Sequence, residues 1–324
     1  MSKVTAIVRA LNEEEHIGRL LVGLSQQSKR IDELILVDSG STDATVKIAQ
    51  RFGARVVHIA PEEFSFGRSL NRGCERASGD LLLIVSAHVY PPFESFIELL
   101  SAPFHDPEVL LTYGRQVGDH RTQYSESRLM LKWFPPESEA RQTHAFANNA
   151  SCMVRRSTWE SLRYDEHLTG LEDVEFAERV LASEGAISYV AEAAVAHVHQ
   201  ESWARLRLRY EREALAYRRI TRERQFGLLG AIGLAAMNAA SDYSHAARDG
   251  VLLSNLASIP RFRSAQFLGA WRGTRGRLDA SRELHRRFYY PLPSNRTRAD
   301  SVGTGKPIDY DAIADSPIGD ESTS

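Results

Sequence analysis

The feature that most constrains this chain is the alternation of short apolar runs with amphipathic segments up to Val85. Val4 to Ala10 is β-branched and apolar and reads as a buried strand. Ile17, Leu20, Leu21 and Leu24 then recur at helical spacing behind Asn12-Glu13-Glu14-Glu15, whose acids suit the positive end of a helix. Glu33 to Val37 is a second strand, Asp43-Ala44-Thr45 opens a helix through Phe52, and Arg55 to Ile59 is a third strand. Phe66 to Ala77 reads as a helix ended by Ser78-Gly79. Asp80 to Val85 is almost continuously apolar, the pattern of a central strand covered on both faces. Strands separated by helices pair in parallel, so the expected fold is α/β with a mostly parallel sheet. Ligands of such sheets gather at the carboxyl ends of strands. Ala10–Glu13, Asp38–Ser41 and Ser86–His88 should therefore meet at one edge.

The 324 residues suffice for one large domain or a domain with an appendage. A formal net charge of -2 supplies no basic field, so nucleic acid is not expected as a partner. Cys74 and Cys152 lie far apart without CxxC spacing, which fits two reduced thiols rather than a disulfide framework or a zinc site. No signal-peptide pattern precedes the first strand, and the apolar stretch from Phe226 to Ala240 is short for a bilayer span. A cytoplasmic protein is expected.

Beyond Tyr113 the pattern loosens. Arg121 to Pro136 reads as a polar, irregular stretch, Glu172 to Ser183 as a helix, and Ile187–Val190 and Ala193–Val198 as two short strands. Ser202 to about Arg224 is a long helix rich in Arg and Glu. A Gly/Ala-rich apolar segment and a basic segment, Arg261 to Arg287, follow. The expected organisation is a nucleotide-binding domain over 1–220, a helical region over 221–290 and a disordered tail over 291–324.

The loop Asp38-Ser39-Gly40-Ser41-Thr42-Asp43 admits two readings. It is a ligand loop, with a carboxylate at a strand end and a glycine for close backbone approach, or a plain turn with Thr42 or Asp43 capping the next helix. With the other motifs it resembles the family 2 glycosyltransferases of the GT-A fold. The matching residues are Arg9-Ala10-Leu11-Asn12-Glu13-Glu14, Val37 to Asp43, Phe66-Gly67 with Asn71-Arg72-Gly73, Ala77-Ser78-Gly79-Asp80, and Glu172-Asp173. Their order fits over about the first 215 residues, and Phe64-Ser65-Phe66-Gly67-Arg68-Ser69-Leu70-Asn71 is most similar to the rhamnosyltransferase-like branch. The resemblance implies a GT-A mixed sheet flanked by helices, with a C-terminal helical appendage. It implies an inverting glycosyltransferase that moves a sugar from a nucleotide-diphosphate donor to a glycan or lipid-linked acceptor.

Carried over residue by residue, the resemblance makes Asp173 the general base, supported by Glu172. Glu13 and Asp38 would hold the nucleotide base and ribose, with Ala10, Asn12, Ser39, Gly67, Asn71 and Ser86 also on the donor side. Asn148, Asn149 and Trp133 would face the acceptor. The family's Asp-X-Asp metal motif is replaced here by Ser86-Ala87-His88. His88 stands at the second aspartate, and Val195-Ala196-His197-Val198-His199 adds two more imidazoles. His88 with His197 or His199 would suit a Mn²⁺-like divalent metal. Metal-free diphosphate binding by His88 and an arginine is the competing reading, and a nucleotide-sugar-binding pseudoenzyme is the third. Arg209 or Arg212 would serve the diphosphate, unless the 205–224 helix is a merely solvated one. Arg261, Arg263, Arg272, Arg275 and Arg277, interleaved with Phe262, Phe267, Leu268 and Trp271, form either a peripheral surface for the inner face of a membrane or a packing helix.

Overall fold

The computed structural model describes residues 2–198, 201–221, 227–274 and 303–310. The chain opens with β1 (Val4–Ala10), α1 (Ile17–Ser25), β2 (Glu33–Asp38), α2 (Thr45–Arg51), β3 (Arg55–His58), α3 (Phe66–Arg76) and β4 (Leu81–Ser86), as the alternation requires. It continues with β5 (Val89–Tyr90), α4 (Phe96–Ser101), β6 (Val109–Gly118), α5 (Tyr124–Trp133), β7 (Ser151–Arg155), α6 (Arg156–Leu162), α7 (Glu172–Ala182) and β8 (Ala186–His197). The described helices after the sheet are α8 (Trp203–Thr221), α9 (Leu228–Arg248), α10 (Leu252–Asn255) and α11 (Ser258–Gly273).

One eight-stranded sheet has the order β3-β2-β1-β4-β7-β6-β8-β5. β1 pairs in parallel with both β2 and β4, with Ala10 opposite Asp38 and Arg9 opposite Ser86. That register brings the three expected strand ends together. β7 runs antiparallel to β4 and β6, so the sheet is mixed. One core layer lies under α1 and α4 and contains Leu20, Leu24, Leu83, Phe96 and Leu100. The other lies under α3 and α7 and contains Leu70, Ile84, Tyr113, Trp159 and Phe176. Ser65 caps α3 by accepting a hydrogen bond from the Arg68 N–H at 3.1 Å.

Three expectations change, and one open alternative is decided. The two short strands after residue 186 are one strand, β8, whose register against β6 slips between Val190 and Ala194. Gly114 is required there because the Ala193 carbonyl occupies the space of a Cβ. The polar stretch from Arg121 holds a helix, α5, which buries Ser125, Glu126 and Arg128. Its inward face is polar because its partners are polar: Ser125 donates to Asp242 at 2.6 Å, and Arg209 pairs with Glu126 at 2.7 Å. The segment 261–273 is a packing helix, since Phe262 and Phe267 are core and Arg263 is a buried partner of Asp242. Finally, residues 303–310 of the supposed tail lie on the fold: the Glu94 N–H donates to Lys306 O, the Ile308 N–H to Pro92 O, and the Tyr310 hydroxyl to Pro91 O.

Candidate active site

The carboxyl ends of β1 and β4, the start of α7 and one side of α8 line a single cavity of about 660 Å³. Asn12, Glu13, Ser86, His88, Trp133, Asn148, Asn149, Glu172, Asp173 and His197 all border it.

The carboxylate pair begins α7. Leu171, just before it, has φ 56°, a left-handed conformation that costs a non-glycine residue about 1–2 kcal/mol. Asp173 Oδ1 accepts the N–H of Val174 at 2.9 Å, and Oδ2 accepts the N–H of Asn149 at 3.2 Å. Burial, then the neighbouring Glu172 carboxylate, raises the Asp173 carboxyl from its ordinary 3.8 to about 7. The two N–H groups and the Arg9 guanidinium pull the other way. Glu172 is buried, and its Oε1 lies 3.4 Å from Arg9 Nη2 and 3.3 Å from the Asn149 amide nitrogen. One carboxylate is thus engaged by a cation, and the other is poised to exchange a proton near neutral pH.

Asn149 holds this arrangement. Its N–H is on Asp173, its amide is on Glu172, and its carbonyl accepts from the Tyr164 hydroxyl at 3.2 Å. Sequence reasoning assigned Asn149 to the acceptor; the structure makes it a positioning group for the carboxylates. Asn148 points elsewhere and accepts from the Gln116 amide at 2.7 Å.

His88 and His197 do come together, with ring centroids 5.0 Å apart and planes inclined by 25°. His88 Nδ1 is 2.9 Å from Glu13 Oε1, and its Nε2 is 3.2 Å from Ser86 Oγ. His197 Nδ1 is 2.6 Å from Gln116 Oε1. Imidazole lone pairs lie in the ring plane, so near-parallel stacked rings do not aim their nitrogens at one point. Among the described residues no three His, Cys, Asp or Glu side chains converge on a metal position. The expected two-histidine metal site is therefore not formed by His88 and His197, and His199 lies outside the described residues.

The remaining donor-side expectations fall beside the cavity rather than in it. Asp38 is buried; its carboxylate accepts from the Gly40 and Ser41 N–H groups and lies 3.2 Å from His58 Nδ1. Ala10 and Ser39 are joined, the Ser39 hydroxyl donating to Ala10 O at 3.2 Å. Gly67 packs against the backbone of Asp165, where a Cβ has no room. Asn71 donates to Tyr164 O and Glu166 and accepts from the Trp159 indole and the Tyr164 N–H, all at 2.9–3.0 Å. Its hydrogen-bonding capacity goes to fixing the 164–166 loop. Trp133 stacks on Phe146 at 4.8 Å. It lines the cavity from the end of α5, a helix where the sequence suggested a loop.

Arg9 was within a recognised motif but had no assigned role, although a cation ending an apolar strand was a legible signal. Phe66 was likewise unassigned. The guanidinium groups of Arg9 and Arg212 lie 4.8 and 4.7 Å from its ring centroid, which ties α8 to the β1 end. Arg205, Arg209 and Arg212 recur at helical spacing on the cavity side of α8. Arg209 is committed to Glu126 and Glu201 at 2.7 and 3.0 Å, whereas Arg205 and Arg212 are exposed. Gln116 had no sequence signal, because its role depends on β6 pairing with β8.

The mixed eight-stranded sheet flanked by helices has the GT-A fold of the glycosyltransferase structures it resembles. Residues 5–162 match the model of Glycosyl transferase family 2. The O-antigen chain rhamnosyltransferase WbaN of Salmonella anatum is 27% identical over 186 residues, covering 54% of this chain and 59% of that protein. RfbN of Salmonella typhimurium, also an O-antigen chain rhamnosyltransferase, is 26% identical over 61% of this chain and 67% of its own. The chain thus spans about three fifths to two thirds of these relatives. Among solved structures, the mannosyltransferase PcManGT from Pyrobaculum calidifontis, determined with GDP-Man and Mn²⁺, has a TM-score of 0.57 and 18% identity over 84% of this chain and 86% of its own. Glucosyl-3-phosphoglycerate synthase from Mycobacterium tuberculosis, with Mn²⁺, UDP-Glc and phosphoglyceric acid, has a TM-score of 0.51 and 23% identity over 69% of this chain and 84% of its own.

Proposed function

We propose that this protein is an inverting glycosyltransferase that moves a hexosyl or deoxyhexosyl group from a nucleotide-diphosphate donor to a glycan or lipid-linked acceptor. Asp173 carries the reading. Its carboxyl titrates near neutrality, borders the cavity and is held by two backbone N–H groups. Asp173 takes the proton of an acceptor hydroxyl as that oxygen bonds to the anomeric carbon. The bond from the anomeric carbon to the diphosphate oxygen breaks on the opposite face, and the nucleoside diphosphate leaves with the electron pair. Glu172, engaged by Arg9 and Asn149, positions α7 and raises the affinity of Asp173 for the proton. Arg212 and Arg205 line the same cavity and supply positive charge for the departing diphosphate.

A divalent metal, as in the Mn²⁺ complexes of the structural neighbours, would meet His88 and Glu13 at the β4 end and help neutralise the diphosphate. The stacking of His88 on His197 does not favour a preformed metal cage. The loss of both aspartates from that position also favours a second reading, nucleotide-sugar binding without transfer. Calorimetric titration with UDP, GDP and dTDP, with and without Mn²⁺, followed by product analysis with the corresponding sugar donors, separates the two. Transfer lost in Asp173→Asn with donor affinity retained supports the transferase. Donor binding without turnover by the wild type favours the second reading, and no nucleotide binding refutes both.

A further inference from the structure

The helix α9 is apolar on both faces of its first half, where Ala231 and Leu234 pack with Phe267 and Ala270, and polar inside in its second half. Its buried residues include Asn238, Asp242 and His245, and Leu234 is the one large aliphatic side chain among them. Asp242 and Arg263 form a buried bidentate pair at 2.7 and 3.0 Å, and Ser125 of α5 joins it. The outward face carries Leu228, Leu229, Ile232 and Met237, with Leu229 85% and Ile232 52% exposed. Ala236 and Ala240 continue that face, and no ionisable residue interrupts it before Arg248. Just beyond, Leu253 of α10 is 84% exposed and Leu256, which follows that helix, 49%. A water-facing helix ordinarily shows the reverse pattern, with its apolar stripe turned inward. A contiguous exposed apolar patch of this kind marks a surface for a membrane or a partner protein.

We propose that α9 and α10 dock this protein onto the surface of an anionic lipid bilayer, with α9 lying in the interface. No described helix is long and apolar enough to cross a membrane, so the geometry is that of a helix lying on it. Charge favours lipid as the occupant. Across residues 227–274 the ionisable Asp, Glu, Lys and Arg side chains outside the buried Asp242–Arg263 pair are Arg248, Arg261 and Arg272 against Asp249. Three arginines against one aspartate leave two net positive charges on α9, α11 and the segment that joins them. Area disfavours a second copy of the chain. One face of a helix this long covers about 300 Å², from a rise of 1.5 Å per residue and a width near 10 Å. A stable dimer buries about 800 Å² on each partner. The docking face stands on α9 and α10 alone and holds whether or not the chain transfers sugar. Its polar side is fastened through Asp242 and Arg263 to α5, a wall of the cavity, so docking would set the orientation of that cavity over the bilayer.

The test is co-sedimentation of the full chain with sucrose-loaded vesicles of phosphatidylcholine alone and of phosphatidylcholine with 30 mol% phosphatidylglycerol. The wild type should pellet with the anionic vesicles, at least tenfold more strongly than with neutral ones. Leu229→Glu combined with Leu253→Glu should cut that binding at least tenfold, with an unchanged circular-dichroism melting curve, because both side chains are already in solvent. Arg261→Glu alone should weaken anionic-vesicle binding severalfold. A wild type that stays in the supernatant with both vesicles overturns the proposal, as does equal pelleting of the double variant. A wild-type dimer in light scattering that the double variant converts to a monomer, without vesicle binding, assigns the face to a second copy instead.

Discussion

Asp173→Asn should gain stability relative to the wild type as pH rises from 4 to 8. The Asp173 carboxyl is raised from 3.8 to about 7 by burial and by Glu172. A folded-state value above the unfolded one means the native protein binds this proton more tightly than the unfolded chain. The wild type therefore has its full stability from this group below about pH 4 and loses it progressively as pH rises to about 7. A shift near three units corresponds to a ceiling of about 4 kcal/mol. The side chain opens onto the cavity and is screened by water there, which leaves about 1–2 kcal/mol. Asparagine removes the charge but keeps one acceptor oxygen where the Val174 and Asn149 N–H groups use two, so one of them faces the amide NH2 at a pH-independent cost of about 1 kcal/mol. Measured against the wild type, the variant's melting temperature should rise by about 1.5–3 °C between pH 4 and pH 8. Thermal denaturation of both proteins from pH 4 to 9 reads this directly and needs no substrate. A difference between the two proteins that does not grow with pH would refute the assignment of an elevated proton affinity. Transfer by the same variant should fall by about 10²–10⁴-fold, the usual contribution of a general base.

Arg9→Gln removes the cation that stabilises the ionised form of Asp173. The alkaline-rising limb of the rate profile should move up by about one pH unit, and an unmoved limb would detach Arg9 from the pair. Asn71→Ala leaves the Trp159 indole and the Tyr164 N–H without their acceptor and should cost about 2–4 kcal/mol in urea unfolding. Nucleotide affinity of the folded variant should stay the same; a weakened affinity would return Asn71 to the donor site. Arg263→Met strands the buried Asp242 carboxylate and should cost about 3–5 kcal/mol, largely recovered in the double variant with Asp242→Leu. Equal stability of single and double variants would show that the pair is not a coupled unit.

The sequence by itself determined the first half of the sheet and the place of the carboxylate pair. β1, α1, β2, α2, β3, α3 and β4 were legible because each buries its own periodic face, and period is a local property. Glu172-Asp173 at a helix start was legible for the same reason. Only the tertiary structure decided what those carboxylates meet. Asn149 reaches Asp173 because β7 runs antiparallel beside β4, and Gln116 reaches His197 because β6 and β8 pair in parallel with a slipped register. Asp38 and Asn71 looked like ligand groups, yet neighbours remote in sequence or a tight local turn occupy their polar atoms. α5 was hidden because its buried face is mostly polar, and the sequence of α9 does not tell which of its apolar residues face outward. Hydrophobic pattern reports burial only when the interior is oil and the exterior water. Where a buried ion pair joins α9 and α11 and reaches α5, that premise fails, and only the packed structure tells inside from outside.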